Sequence, residues 1–300
     1  MKQFLFFMIV ALFTSCGNLE CDICDEKQTT GYCVTFNGSV GIQTKSGSYF
    51  SEGIKGLVYA YGSGDNPRSS KSYPGTPIVT ISDDGGNLFN ETNLFMPKGE
   101  YDFYSISENK TNVPTIQFTD GISGSLRNGI DYMWAKKSEN IVQNTAVAFL
   151  FEHKAACISI NVKEGTGVTG ITLKSIKIAL PDSTLSVMTL GTGEIVKSKS
   201  ISSQLKEITI SGLSSSAVIL PLEESINLPF EIIADVKIGT EIFTSRKYTG
   251  VLKSPATGFS GGTIYKYSAT VNASSISFTN AVIEDWKQID IGNTEISEQR

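Results

Sequence analysis

The chain has 300 residues, with 30 acidic residues, 25 Lys or Arg and a formal net charge of −5. This length predicts two domains of ordinary size, each large enough to bury a core. The acidic balance argues against a nucleic-acid partner, which would need a basic face. No apolar run reaches the roughly 20 residues that a helix needs to cross a bilayer.

The chain begins MKQFLFFMIVALFTSC, in which a short positive start precedes an apolar run over residues 4–13. This pattern is typical of a secretory signal peptide. The small residues before Cys16 resemble a bacterial lipobox. The resemblance implies that residues 1–15 are removed and that Cys16 is acylated, for instance with palmitate, which would hold the protein on the outer membrane. An ordinary cleaved signal followed by a chance cysteine is the alternative.

Residues 16–32 are acidic and lack apolar periodicity, so we interpret them as a tether that resembles the export signal of Bacteroidetes surface lipoproteins. Cys21 and Cys24 have the two-residue spacing of redox and zinc motifs, but the strand and helix context of such motifs is missing. A local disulfide or two free thiols fit them better. Cys33 and Cys157 lie in apolar strand patterns and are predicted to be small core residues.

Residues 33–44 alternate between apolar and polar side chains, which predicts a half-buried strand. Its apolar face carries Val34, Phe36, Val40 and Ile42. Lys45 follows in a polar segment of the kind that proteases cut.

Short strand patterns separated by turn residues continue to the end of the chain, which favours an all-β fold of β-sandwiches. The strongest pattern, residues 145–162, changes phase between Glu152 and Cys157. A two-residue period changes phase only at a bulge or bend. We therefore expect a domain boundary nearby, with one domain over residues 33–145 and a second over residues 146–300.

The sequence predicts no catalytic, cofactor or metal site, and hence no enzyme. Its one histidine, His153, is interpreted as a half-exposed strand residue, and no nucleophile motif accompanies it. Residues 83–87 resemble a calcium loop but lack the terminal Glu, so they are predicted to form a plain turn. Trp134 and the tyrosines could form a sugar-stacking platform, although core packing suits them better.

Several motifs, taken in order, resemble those of fimbrillins, the subunits of type V pili of Bacteroidales. They are the lipobox at Cys16, the first strand followed by Lys45, GLVYAY at 56–61, FMPKGEYDFY at 95–104, DYMWA at 131–135, FLFEHKAAC at 149–157 and the ending from 265 to 286.

The resemblance implies a lipoprotein precursor with two transthyretin-like β-sandwich domains. It also implies that a trypsin-like protease removes the first strand, and that the groove so opened accepts a strand from another subunit. Lys45 stands where Arg is expected, and Arg68, the first Arg of the chain, lies beyond the second strand. Two alternatives follow: a Lys-tolerant protease cuts the subunit, or the subunit stays uncut and acts at an end of the fibre. The candidate donor strand is the tail over residues 282–296, which includes Trp286, with Ile289 and Ile291 as pocket fillers.

The predicted function is therefore structural: a stalk, tip or anchor subunit of a fimbrium that mediates adhesion and biofilm formation. Its expected partners are other fimbrial subunits, a processing protease and, for the precursor, the outer membrane. It is expected first as an outer-membrane lipoprotein and then in an extracellular fimbrium. The alternative is a surface glycan-binding lipoprotein of a polysaccharide-utilisation system. A hydrolase is disfavoured by the single histidine.

Overall fold

The computed structural model describes residues 31–40, 51–83, 85, 87–273, 275–278, 282–285 and 294–297. These residues form strands, turns and loops without a helix, so the all-β prediction is confirmed. Within them no helix is long and apolar enough to cross a membrane.

Among the described residues, ten strands lie in the first half of the chain. They are β1 (Tyr32–Val40), β2 (Lys55–Gly62), β3 (Ile78–Ser82), β4 (Asn87–Asn90), β5 (Leu94–Met96), β6 (Gly99–Ser107), β7 (Phe118–Thr119), β8 (Ile122–Ser123), β9 (Met133–Ile141) and β10 (Thr145–His153).

Ten more strands follow. They are β11 (Ala156–Glu164), β12 (Gly170–Pro181), β13 (Ile201–Ser211), β14 (Ser214–Ile219), β15 (Leu228–Ile238), β16 (Glu241–Leu252), β17 (Thr263–Val271), β18 (Ser275–Phe278), β19 (Val282–Asp285) and β20 (Thr294–Ser297).

The first sheet closes on itself through β1. Its order is β10-β9-β6-β2-β3-β4-β1-β5, and β1 also pairs with β10. Seven strands thus form a ring, with β5 attached to the N-terminal part of β1. The inward side chains form one apolar core, which includes Val34, Phe36, Val58, Leu88, Phe103, Met133, Phe149 and Phe151.

The second sheet has the order β16-β15-β12-β13-β14-β11-β17-β18-β20, and β19 pairs with β17. Alternating apolar residues of these strands build a separate core, which includes Ile158, Ile160, Phe230, Ile232, Tyr265 and Tyr267. Strands β7 and β8 form a small hairpin of their own.

The chain passes from the first sheet to the second between β10 and β11, at Lys154 and Ala155. The buried residues of β10 alternate in phase with Phe151, and those of β11 alternate in phase with Ile158. The phase change predicted from the sequence therefore falls at this passage. The division into two sandwich domains with the transthyretin-like fold stays a prediction.

A third apolar cluster joins the two sheets. Leu57, Tyr59 and Ile106 from the first sheet pack with Met188, Leu190 and Leu220 from the second half of the chain. Asn128 adds a polar link, because its Nδ2 donates to the Pro181 carbonyl at 2.8 Å and its Oδ1 accepts from the Leu220 amide at 2.8 Å.

Candidate functional site: the groove that holds the first strand

Strand β1 is paired on both of its edges. On one side, Val34 to Val40 run parallel to Thr145 to Phe151 of β10 in seven successive pairs. On the other side, β1 runs antiparallel to β4 and β5. Taking β1 out would leave unpaired N–H and C=O groups on both neighbours, which is the condition under which an edge accepts another strand.

The inward face of β1 fills the core of the first sheet. Val34 is fully buried and Phe36 is 1% exposed, while Val40 is half-buried. The Phe36 ring stacks on Phe149, with centroids 5.6 Å apart, and meets Phe103 edge-on at 5.8 Å. Burying an aliphatic or aromatic side chain of this kind stabilises a fold by roughly 1.5–3 kcal/mol. The groove is therefore apolar, and one of its sites buries an aromatic ring.

Two asparagine side chains hold the β1 backbone in register. Asn90 Nδ2 donates to the Val34 carbonyl at 2.9 Å, and Asn144 Oδ1 accepts from the Cys33 amide at 3.0 Å. Both asparagines belong to the part of the chain that would stay after β1 is removed. They would bind the backbone of any strand in the same position, whatever its sequence.

Of the predicted site residues, the structure brings Val34, Phe36 and Val40 together on β1. Cys16, Ile42, Lys45, Trp286, Ile289 and Ile291 lie outside the described residues, as do Cys21 and Cys24. Parts of the predicted donor tail are described: β19 pairs with β17, and β20 pairs with β18 at the outer end of the second sheet.

The two cysteines predicted to be small core residues differ. Cys33 is 4% exposed, as predicted for a small core residue, and it is also disulfide-bonded. Cys157 is a free thiol, and burial, followed by the negative charge of Asp131, raises its pKa to about 11. A thiol with so high a pKa is a poor nucleophile at neutral pH.

The side chain of His153 is held by a carboxylate. Its Nδ1 lies 2.7 Å from Asp131 Oδ1, and Asn109 Nδ2 donates to the other oxygen of that carboxylate at 2.9 Å. Among the described residues, no group of three or more His, Cys, Asp or Glu side chains could hold a metal ion. Asp83 accepts from the Gly85 and Asn87 amides, so this loop is the turn between β3 and β4.

Trp134 does not offer a free face to a sugar. Its Nε1 donates to the Leu190 carbonyl at 2.7 Å, and Lys154 Nζ lies 4.6 Å from the ring centroid. The exposed phenylalanines of the described residues, Phe89 and Phe243, belong to different sheets. Trp134 and these two phenylalanines thus do not line up as a row of rings for glycan stacking.

The residues that line the groove could not be predicted from the sequence. Phe149 was recognised as a strand residue, but no local signal pairs it with Phe36. Asn90 and Asn144 resemble ordinary turn residues in the sequence. Their role depends on where β1 docks, which only the tertiary structure shows.

The chain belongs to the fimbrillin-like family, because the model of that family matches residues 44–286. The resemblance found in the sequence is thereby confirmed. Membership in this family gives the chain a fimbrial or adhesive role at the cell surface. No curated protein matches the sequence.

Three solved structures share the fold, at sequence identities too low to show more than that. A candidate cell adhesion protein from Bacteroides uniformis is 16% identical with a TM-score of 0.64, covering 87% of this chain and 100% of that one. One from Bacteroides fragilis is 15% identical with a TM-score of 0.61, at the same coverages of 87% and 100%. One from Bacteroides ovatus is 16% identical with a TM-score of 0.58, again covering 87% and 100%.

Proposed function

We propose that this chain is a fimbrial subunit that assembles by exchanging its first strand. In the precursor, anchored through acylated Cys16, β1 fills its own groove. A protease cuts after Lys45, β1 leaves, and a strand from another subunit takes its place. The resulting fimbrium mediates adhesion and biofilm formation.

The observation that carries this proposal is the position of β1. It lies before the proposed cut, it closes the ring of the first sheet, and it contributes Phe36 to the core. Once β1 has left, the groove presents two unpaired strand edges and an apolar site exposed to water, so it binds a replacement strand strongly.

Lys45 suits this scheme better than Arg68 as the site of cleavage. A cut after Arg68 would detach β2 as well as β1. Strand β2 pairs with both β3 and β6, and it buries Val58 and Ala60 completely. Loss of β2 would remove a central strand of the ring, whereas a cut at Lys45 spares every other strand.

The same scheme assigns the donor role to the tail over residues 282–296, with Trp286, Ile289 and Ile291 as the side chains that enter the neighbour's groove. This tail includes β19, which pairs with β17, and most of β20, which pairs with β18 at the end of the second sheet. Its release would break these two pairings and leave the other strands of that sheet paired.

Limited trypsin digestion of the precursor tests the proposal. We expect mass spectrometry to find an early cut after Lys45, and the cut protein, once refolded with a fluorescent peptide of residues 31–42, to retain that peptide. A Lys45→Ala precursor should escape this cut and exclude the peptide. Lys71→Ala, which changes an exposed lysine in the loop after β2, is the matched control and should behave as the parent. Equal processing of the parent and Lys45→Ala precursors would refute the site, and failure of the cut protein to retain the peptide would refute the exchange.

A further inference from the structure

We propose that the groove selects its donor strand by a two-residue rule. The strand must place a bulky apolar side chain at the Phe36 site and a glycine, or at most an alanine, at the neighbouring inward position now held by Gly38. From this rule we infer that the donor comes from a subunit different from this chain. The inference rests on the strand exchange proposed above.

The restriction at Gly38 is one of space. A Cβ atom at this position would lie 3.0 Å from Leu88 Cδ1 and 3.0 Å from Phe151 Cε2. Gly38 is not among the glycines with positive φ, so its backbone would suit any residue. Space at this position is short because the side chains of Leu88 on β4 and Phe151 on β10 approach β1 from its two sides.

The Phe36 site, one inward position earlier, is wide. Phe36 fits between Phe149 and Phe103 at ring separations of 5.6 and 5.8 Å. Residues i and i+2 of a strand face the same side. The groove therefore accepts a large side chain at the Phe36 site and has little room at the next inward position, that of Gly38. A strand slipped by two residues would press a large side chain against Leu88 and Phe151.

Beside the Gly38 position lies a small cavity lined by Leu88 and Phe151 together with Ile54, Lys55, Gly56, Thr80 and Ser107. A shift of either apolar side chain by a few tenths of an ångström toward this space would admit a methyl group. A leucine or larger side chain needs far more room, and overpacking a filled core is destabilising. We therefore expect alanine to be tolerated at this position and leucine to be rejected.

The tail of this chain does not satisfy the rule. Over residues 282–300 it has one glycine, Gly292, and no alanine. Asp290 stands two positions before Gly292 and Thr294 two positions after it, so neither residue that would share a face with Gly292 at this spacing is bulky and apolar. A second copy of this chain is therefore a poor donor, and the groove suits a subunit whose donor strand carries the required pair.

The test uses the full precursor with a site-specific protease sequence inserted after Lys45, so that the result does not depend on the natural cut. The cut protein is refolded with an excess of each labelled peptide, and retention is measured by native mass spectrometry and fluorescence anisotropy. The parent peptide covers residues 31–42 with Cys33→Ser. Its variants are Gly38→Ala, Gly38→Leu and, as a control on the opposite face, Asn37→Leu. The tail peptide covers residues 282–297, alone and with Asp290→Phe.

We expect Gly38→Leu to bind at least about tenfold more weakly than the parent, while Gly38→Ala and Asn37→Leu stay close to it. The tail peptide should also bind weakly, and Asp290→Phe should recover binding because it places an aromatic ring two positions before Gly292. Equal binding of the parent and Gly38→Leu peptides would overturn the rule but would not contradict strand exchange. A tail peptide that binds as well as the parent would overturn the inference of a different donor. If the parent peptide itself fails to bind, the proposed function falls and the rule with it.

Discussion

Phe36 stacks on Phe149 with an angle of 23° between the ring planes, and this contact joins β1 to β10 where the ring of the first sheet closes. The stacking also buries both rings almost completely. Strand β1 thus contributes to the hydrophobic core of the first sheet. It also closes a ring that the other strands of this sheet leave open.

Replacing Phe36 with alanine should destabilise the precursor by about 3–5 kcal/mol, because it removes a buried ring and leaves a cavity. Urea unfolding followed by circular dichroism measures this loss. Thr35→Ala, one residue away on the opposite face, should change the free energy of unfolding by no more than about 0.5 kcal/mol. Similar small effects for both variants would mean that β1 contributes little to the core.

Gly193 lies against Trp134 at the junction of the two sheets. A Cβ atom on Gly193 would sit 2.5 Å from Trp134 Cδ2, and its φ of +67° disfavours any other residue. Gly193→Ala should therefore cost about 2 kcal/mol or more through backbone strain and overlap together. In a Trp286→Phe background, the fluorescence of Trp134 should shift as its ring moves away from Leu190.

Gly212 provides the control for this prediction. Its φ of +61° is similar, but nothing lies within 4 Å of the position a Cβ would take. Gly212→Ala should cost only the backbone strain, roughly 1–2 kcal/mol, and should leave the Trp134 fluorescence unchanged. Equal effects at the two glycines would show that the contact with Trp134 is unimportant.

Asp102 should make the precursor sensitive to acid. This carboxylate is 3% exposed; burial alone would raise its pKa, but hydrogen bonds from Ser138, Lys136 and the Gly64 amide outweigh burial and lower it. Because the folded pKa lies below the ordinary value of 3.8, the ionised group stabilises the fold above pH 3.8. That contribution is lost as the pH falls from there through the folded pKa.

Thermal unfolding between neutral pH and pH 3 measures this effect. Asp102→Asn should be less stable than the parent at neutral pH, and the difference should shrink as the medium becomes acidic. The exposed Asp120→Asn serves as the control and should follow the parent throughout. A difference between Asp102→Asn and the parent that stays constant with pH would contradict this role.

The local pattern of β1 could be predicted because a strand repeats every two residues, so Val34 and Phe36 had to share a face. The strands against which that face packs could not be predicted in the same way. The parallel pairing of β1 with β10 joins residues more than a hundred positions apart, and no local periodicity encodes such a contact. Gly38 lies within the predicted strand but adds nothing to its apolar pattern, and only its closeness to Leu88 and Phe151 shows why a large side chain does not fit there.

Hydrogen exchange of the β10 amides, read by mass spectrometry, tests the exchangeable role of β1 most directly. The precursor is cut after Lys45, and β1 is removed by refolding and desalting. We predict that amides of Thr145–Phe151 exchange fast in the stripped protein and regain protection when the peptide of residues 31–42 is added. Amides that stay protected without β1, or that regain no protection when the peptide is added, would contradict this role of β1.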